Sequence, residues 1–239
     1  MSTRSPTFLL CAAILSVGGA AGGWTITSQL AGSSAGLSFL QFGGFVALMI
    51  FAVLTVLYKK AARRVIYLIL FNIALFVDIV WFASCVFLPI FWMQSIDIGV
   101  KIGTFLFAAG LYWKNIVKGM RGFERKWMSV EQDLMRRYYD RKNQVLDWDG
   151  VARSLKLVVS LYIPGMPEKL NPIIYVASIG SMLLGFSLRN VFPIYSVFAW
   201  GIPVIIINSI FLQMIGFGIS QIYMLSAMEK KESVELRPA

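Results

Sequence analysis

Long blocks of apolar residues alternate with short polar connections along most of this chain. An α-helix needs roughly 20 apolar residues to cross a bilayer core of about 30 Å, and each block approaches or exceeds that length. Taken in order, they predict six transmembrane helices, within residues 8–27, 37–57, 65–91, 98–113, 173–188 and 191–225. The pattern therefore predicts an all-α, polytopic integral membrane protein.

One longer polar stretch, 114–170, lies between the fourth and fifth blocks. Ser129 followed by Gln132 is typical of a capped helix start. Apolar residues recur around it at helical spacing, which predicts one bent or two short amphipathic helices. These could pack under the bundle, lie on anionic lipid or meet a partner. The predicted interaction face consists of Trp127, Leu134, Tyr138, Val145, Trp148 and Leu155.

These patterns divide the chain into four regions. The regions are a four-span membrane region (residues 1–113), the amphipathic segment (114–170), a two-span membrane region (171–228) and a tail (229–239). The last block is too long to cross once as a straight helix, and Pro203 offers a break. We expect either a re-entrant piece before Pro203 or a kinked helix that extends into the cytoplasm, followed by a solvated tail.

Positive charge is distributed unequally across this arrangement. The chain has 22 Lys and Arg against 12 Asp and Glu, which gives a net charge of +10. With six spans, 20 of the 22 basic residues fall on one side, and only Lys101 and Arg189 fall on the other. Because basic residues are enriched in cytoplasmic loops, both termini and 114–170 are predicted to be cytoplasmic, most simply in a bacterial inner membrane.

The first block allows two interpretations. Arg4, the apolar run after it and a glycine-rich end also fit a cleaved signal peptide, which would leave five spans. In the block, Gly18 with Gly22 and Gly19 with Gly23 have the spacing that lets helices approach closely in lipid. These helix-packing glycines indicate an oligomer interface or, as we favour, packing against another span of the same chain.

Asp78 is the one acidic residue predicted to lie at membrane depth. A charge there costs roughly 2.5–3.5 kcal/mol, so the side chain should face the bundle interior and have a partner. Lys101 and Asn208 are the candidate partners. The three residues form a candidate intramembrane polar site, either a latch between helices or an ion or proton site. Asn208 and Gln213 are otherwise expected to form hydrogen bonds between helices.

Composition restricts the chemistry further. The chain is 58% hydrophobic and 14% charged, whereas a soluble domain has about 25% charged residues. It has no histidine, and Cys11 and Cys85 form no CxxC pair, so we expect no metal and no cofactor. Mixed charges in 114–170 argue against nucleic acid as a partner. No nucleophile with an adjacent base is evident, so we expect no enzymatic activity.

Two functions fit these observations. The first is a non-enzymatic inner-membrane subunit or scaffold of a membrane-embedded complex, of secretion, conjugation, immunity or defence type. Its partners would be the lipid bilayer and other membrane subunits, or further copies of itself in a homo-oligomer. The alternative is a small channel or transporter, including a homo-oligomeric pore, that uses Asp78 and the broken last span.

Overall fold

A computed structural model describes residues 6–238 of the chain, so Arg4 lies outside the described residues. The described residues form seven α-helices: α1 Pro6–Ala31, α2 Ser33–Lys60, α3 Val65–Ser84, α4 Ile98–Tyr138, α5 Trp148–Leu155, α6 Asn171–Leu188 and α7 Pro193–Glu232. Two short 3-10 turns cover Leu88–Phe91 and Glu168–Leu170. Three two-residue strands are β1 Tyr139–Asp140, β2 Val145–Leu146 and β3 Arg237–Pro238.

Five helical segments of the described chain are long and apolar enough to cross a membrane. They are α1, α2, α3, α6 with its preceding 3-10 turn, and α7. Many of their outward-facing side chains are large and apolar; Leu48 is 68% exposed and Val176 is 72% exposed. Such large exposed apolar surfaces are rare on water-soluble proteins and are suited to contact with hydrocarbon. The all-α class is confirmed, together with the set of long apolar helices that a polytopic membrane protein requires.

α7 is the central helix of the bundle. α3, α4 and α6 pack against it, while α1 and α2 form a hairpin that packs against α3. The turn of this hairpin is Gly32, whose φ of +93° lies in the left-handed region that favours glycine. The end of α1, the 3-10 turn Leu88–Phe91 and the start of α7 share one apolar cluster, around Ile90 and Val197.

The opposite end of the bundle carries a small folded unit. β1 pairs antiparallel with β2, and β2 pairs parallel with β3 at the end of the chain. We call residues 139–155 and 233–238, which comprise these strands and α5, the basal module. Its apolar side chains join the start of α3 and the ends of α4 and α7 in the largest core cluster of the described chain.

The third predicted span is shorter than expected. α3 ends at Ser84, about two turns before the predicted end at Phe91. The chain continues into a 3-10 turn that contains Pro89 near its start. Proline has no backbone N–H and clashes with the preceding helical turn, so it ends the α-helix here.

The helix start predicted at Ser129 is wrong. α4 is one continuous helix of 41 residues, about 62 Å long at 1.5 Å per residue. Ser129 lies inside it, and its hydroxyl donates to the Lys126 carbonyl at 2.7 Å. The side chain therefore bonds the backbone of its own helix rather than capping a new one. The predicted amphipathic segment begins as a continuation of the fourth apolar block.

Of the two arrangements expected around Pro203, the re-entrant piece does not form. α7 runs without interruption for 40 residues, with Pro203 inside it. Helices packed on several sides hold this stretch in place, so one missing backbone hydrogen bond does not break it. Its first half packs on α6, where Gly185 lies against Ala199, and its second half packs on α3, where Gly218 lies against Ile73. Because α7 is long, it packs against α6 and α3 at different levels along its axis.

Candidate functional site: polar contacts along the bundle

Asp78 is fully buried between α1 and α3. The Ser16 hydroxyl of α1 donates to Asp78 Oδ1 at 2.5 Å. The Trp81 indole N–H, one turn further along α3, donates to the Ser16 carbonyl at 3.4 Å. Asp78 Oδ2 has no hydrogen-bond partner among the described residues. The carboxyl group therefore joins two helices through one of its oxygens.

The predicted partners of Asp78 are wrong. Asn208 donates instead to the Ser84 hydroxyl at 3.3 Å and to the Tyr112 hydroxyl at 3.0 Å. Lys101 is half-exposed near the start of α4, among exposed apolar residues. Asp78, Asn208 and Lys101 therefore do not form one site. The sequence indicated their depths in the bundle, but the rotation of each helix decides which of them meet.

A second buried polar cluster joins α4 and α7. Gln213 Nε2 donates to Asn115 Oδ1 at 2.8 Å and to the Ser160 carbonyl at 2.7 Å. Asn115 Nδ2 in turn donates to the Leu111 carbonyl at 2.9 Å and to the Tyr162 carbonyl at 3.1 Å. The prediction that Asn208 and Gln213 form hydrogen bonds between helices is confirmed.

The backbones of α4 and α7 approach closely beside this cluster. A Cβ added to Gly119 would meet the backbone of Gln213, and one added to Gly216 would meet the backbones of Ile116 and Met120. Small residues allow such contact in membrane helices, where packing and hydrogen bonding replace the hydrophobic effect. The pair α4–α7 is thus held by both backbone contact and side-chain hydrogen bonds.

Lys118 of α4 binds the irregular segment that leads into α6. Its ammonium donates to Ser160 Oγ at 3.1 Å and to Glu168 Oε1 at 3.0 Å. It also lies 4.3 Å from the centre of the Tyr162 ring, a cation–π distance. Glu168 is exposed and precedes the apolar residues of α6. The hydrogen bond from Lys118, reinforced by its charge, lowers the pKa of Glu168 below its ordinary value.

The end of the chain is fastened to the α2–α3 loop. Arg64 pairs with Glu229 at 2.6 Å and with Glu235 at 3.0 Å, and the hydrogen bond to Glu229 raises the pKa of Arg64. The Leu236 N–H donates to Glu229 Oε1 at 2.9 Å, and the Val65 N–H donates to the Leu236 carbonyl at 3.1 Å. The tail is therefore packed against the bundle at Leu236, while Glu235 and Arg237 are exposed, as expected for the solvated tail predicted from the sequence.

The predicted cytoplasmic interaction face is wrong as a surface for a partner. Trp127 is only 1% exposed, and it packs with Phe123 and Trp148 at ring distances of 5.7 and 6.3 Å. Leu134, Trp148 and Leu155 are buried in the same core cluster, and Tyr138 packs against it. Val145 is half-buried in β2. The segment could have packed under the bundle, lain on anionic lipid or met a partner. These residues pack under the bundle.

The helix-packing glycines lie mostly against other segments of the same chain. Gly19 faces the Phe82 backbone and Cys85, and Gly23 faces Phe39 and the Cys85 carbonyl. Gly18 has the Phe82 ring 3.7 Å from the position of its missing Cβ. Gly22 has nothing within 4 Å at that position. Close contact inside the chain is therefore the role the structure gives to Gly19 and Gly23.

Several of these contacts were not identified from the sequence. Ser16 belongs to the Asp78 contact, whereas Asn115, Ser160 and Gly119 contact Gln213. Gly216 and Ser220 do have small-xxx-small spacing, a signal that could have indicated the close approach of α7 to α4. A lone serine in an apolar helix has no comparable signal, because serines there commonly bond their own backbone.

No protein-family model, no curated protein and no solved structure matches this chain. Its function must therefore be inferred from its own residues and their geometry.

Proposed function

We propose that this protein is a non-enzymatic scaffold subunit of a membrane-embedded complex, of secretion, conjugation, immunity or defence type. The observation that carries the proposal is the use made of polar side chains along α7. Asn208, Gln213, Ser220 and Glu229 together bond α3, α4, the segment before α6 and the α2–α3 loop. Polar groups used in this way rigidify a bundle and specify one arrangement, which is what a scaffold requires.

The first half of α4 is the sixth span in this proposal. Its hydropathy is lowered by Lys101 and by the polar residues after Trp113, yet it exposes large apolar side chains such as Leu106, which is 62% exposed. This half lies at the same level as α6, because both pack on the first half of α7. A bilayer that contains α6 would therefore surround residues 98–113 as well.

Both termini and the basal module are cytoplasmic in this proposal, and the membrane is a bacterial inner membrane. The support is the concentration of Lys and Arg on one side of a six-span arrangement. Arg64 and Glu229 bring the α2–α3 loop and the end of α7 together, as the six-span arrangement requires.

A non-enzymatic role is supported by the acidic residues of the basal module. Asp147 caps α5, accepting from the Gly150 N–H at 2.9 Å. Asp140 accepts from the Lys142 N–H at 2.9 Å and from Asn143 Nδ2 at 2.7 Å. These hydrogen bonds shape a turn and a helix start, so both carboxylates have a structural role.

A polar groove beside the basal module is the proposed contact surface for a partner. It lies between the ends of α4 and α7 and has a volume of about 730 Å³. Its lining contains more basic than acidic side chains, so we assign it an acidic segment of another membrane subunit. The lining residues are Glu131, Gln132, Met135, Arg136, Tyr139, Arg141, Met228 and Lys231.

The test is affinity purification of the full chain from its native membrane, followed by native mass spectrometry. A discrete complex is expected, and the double variant Arg136→Glu with Lys231→Glu should release the partner by reversing two groove charges. Lys142→Glu, an exposed charge that does not line the groove, is the matched control. A wild-type chain that purifies alone, or equal losses in variant and control, would refute the proposal.

A small channel or transporter is the second candidate, favoured by one observation. Asp78 is fully buried at membrane depth, and its Oδ2 is unpartnered among the described residues. Buried ionisable groups in transmembrane helices commonly mark ion or proton pathways. Flux measured in liposomes decides between the two. Flux lost in a folded Asp78→Asn variant supports transport, whereas wild-type flux equal to that of empty liposomes excludes it.

A further inference from the structure

An apolar groove lies at the end of the bundle opposite to the basal module, between α1, α6 and α7. Its volume of about 650 Å³ is within the range of roughly 300–1,000 Å³ typical of small-molecule sites. Ile26, Ile179, Leu183 and Phe186 form its apolar wall, and Gln29 and Arg189 lie on its polar rim. The groove is open on the side that would face lipid.

The groove is elongated along α6. Ile179 and Arg189 are ten residues apart, which corresponds to about 15 Å of helix. Apolar side chains line this length, and the cation lies at the end of α6. An apolar groove with a cation at one end matches the shape of a membrane lipid, which has a hydrocarbon chain and a polar headgroup.

The side chain of Arg189 is held at this mouth. Its Nη1 donates to the Phe186 carbonyl at 3.0 Å, and its guanidinium lies 4.1 Å from the centre of the Phe186 ring. No carboxylate among the described residues lies within ion-pair distance of it. A guanidinium has five N–H donors, so most of its capacity to bind an anion is left for a ligand.

The wall of the groove is formed by packing within the chain. Gly185 lets Ala199 and Trp200 approach α6 closely. The Trp200 indole N–H then donates to the Met182 carbonyl at 3.1 Å. Because these contacts fix α6 on α7, the groove is already formed before any ligand binds, which reduces the entropic cost of binding.

We propose that this groove binds one anionic phospholipid, with an acyl chain along α6 and the headgroup phosphate at Arg189. A guanidinium pairs with phosphate in bidentate fashion, and one Lys or Arg near a membrane surface adds about 1 kcal/mol to the attraction of anionic lipid. The inference requires the chain to lie in a bilayer, but it does not depend on a scaffold role or on any protein partner.

The test is native mass spectrometry of the full chain in mild detergent, titrated with phosphatidylglycerol or phosphatidylcholine that carry identical acyl chains. One retained phosphatidylglycerol is expected, with a preference of about fivefold over phosphatidylcholine from a single cation. Arg189→Gln should abolish the preference. Lys101→Gln, which removes the other basic residue of that side but does not line the groove, should preserve it.

A second pair of variants tests the apolar wall. Leu183→Trp fills the groove and should reduce retention of both lipids, whereas Leu184→Trp, an exposed neighbour outside the lining, should not. Equal retention by wild type and Arg189→Gln would overturn the proposal. Glycerol phosphate that binds as tightly as the lipid would overturn it too. The proposal would also fail if Leu183→Trp changed the oligomeric state of the protein and left lipid retention unchanged. Loss of a protein partner would leave all these readouts unaffected.

Discussion

Arg64, just before α3, forms a 2.6 Å ion pair with Glu229 near the end of α7, 165 residues away in the sequence. Glu229 is almost fully buried, with 8% of its side chain exposed, and Arg64 retains 29% exposure. The same carboxylate accepts the Leu236 N–H. One glutamate therefore connects the start of α3, the end of α7 and the tail of the chain.

Glu229→Gln is expected to lower the free energy of unfolding by about 1–3 kcal/mol, because it leaves a partly buried guanidinium with only the exposed Glu235 as its charge partner. The tail should also detach from the α2–α3 loop, which faster hydrogen exchange at the amides of Val65 and Leu236 would report. Glu235→Gln is the control, since Glu235 is 68% exposed and such surface pairs contribute about 0–1 kcal/mol. Equal effects of the two variants would contradict this interpretation.

Gly119→Ala should destabilise the protein although alanine is a better helix former. The added methyl group would meet the Gln213 backbone and push α4 away from α7, at a cost of about 1–3 kcal/mol. Gly110→Ala in the same helix has nothing within 4 Å of the new Cβ and should be neutral or stabilising by up to about 1 kcal/mol. Thermal unfolding in detergent measures both, and a Gly119→Ala variant as stable as wild type would disprove the close contact.

Ser16→Ala should cost about 1–3 kcal/mol, because it leaves the buried Asp78 carboxyl without its hydrogen-bond donor. Ser38→Ala is a suitable control, since the Ser38 hydroxyl is exposed and bonds only its own helix, at the Ser34 carbonyl. Thermal unfolding of the two variants in the same detergent gives the comparison. Identical melting temperatures would mean that the Ser16–Asp78 contact contributes no stability.

The segment before α6 should loosen in acid. Lys118 lowers the pKa of Glu168 below the ordinary 4.5, so the stabilisation from this pair is complete above pH 4.5. It is lost as the pH falls through the lowered pKa of the folded state. The protection factors of residues 156–170, which correct for the slower intrinsic hydrogen exchange in acid, should therefore fall below pH 4.5. In Lys118→Met this step should disappear, and an unchanged step would assign it to another group.

The contact between α4 and the basal module was predicted from the sequence only in part. Trp127 and Leu134 do share one face of α4, as the spacing predicts, whereas Leu155 lies on α5 and belongs to the same core cluster. Whether such a face contacts lipid, a partner or the rest of the chain depends on what packs over it. Here α5, the start of α3 and the tail cover it. The tail contributes Leu236 to this core, a contact that no local sequence pattern predicts.

The positions of the apolar blocks along the chain, and of the Lys and Arg residues between them, could be determined from the sequence by itself. Whether a helix can cross a bilayer, and which loops stay in the cytoplasm, depend on helix length and on loop composition, which are properties of the chain in one dimension. Only the tertiary structure decided that Asp78 meets Ser16, that Asn208 meets Tyr112 and that Arg64 meets Glu229. Those contacts depend on the rotation and axial offset of each helix, which are set by packing of the whole bundle around α7 and by close backbone contacts such as that at Gly119.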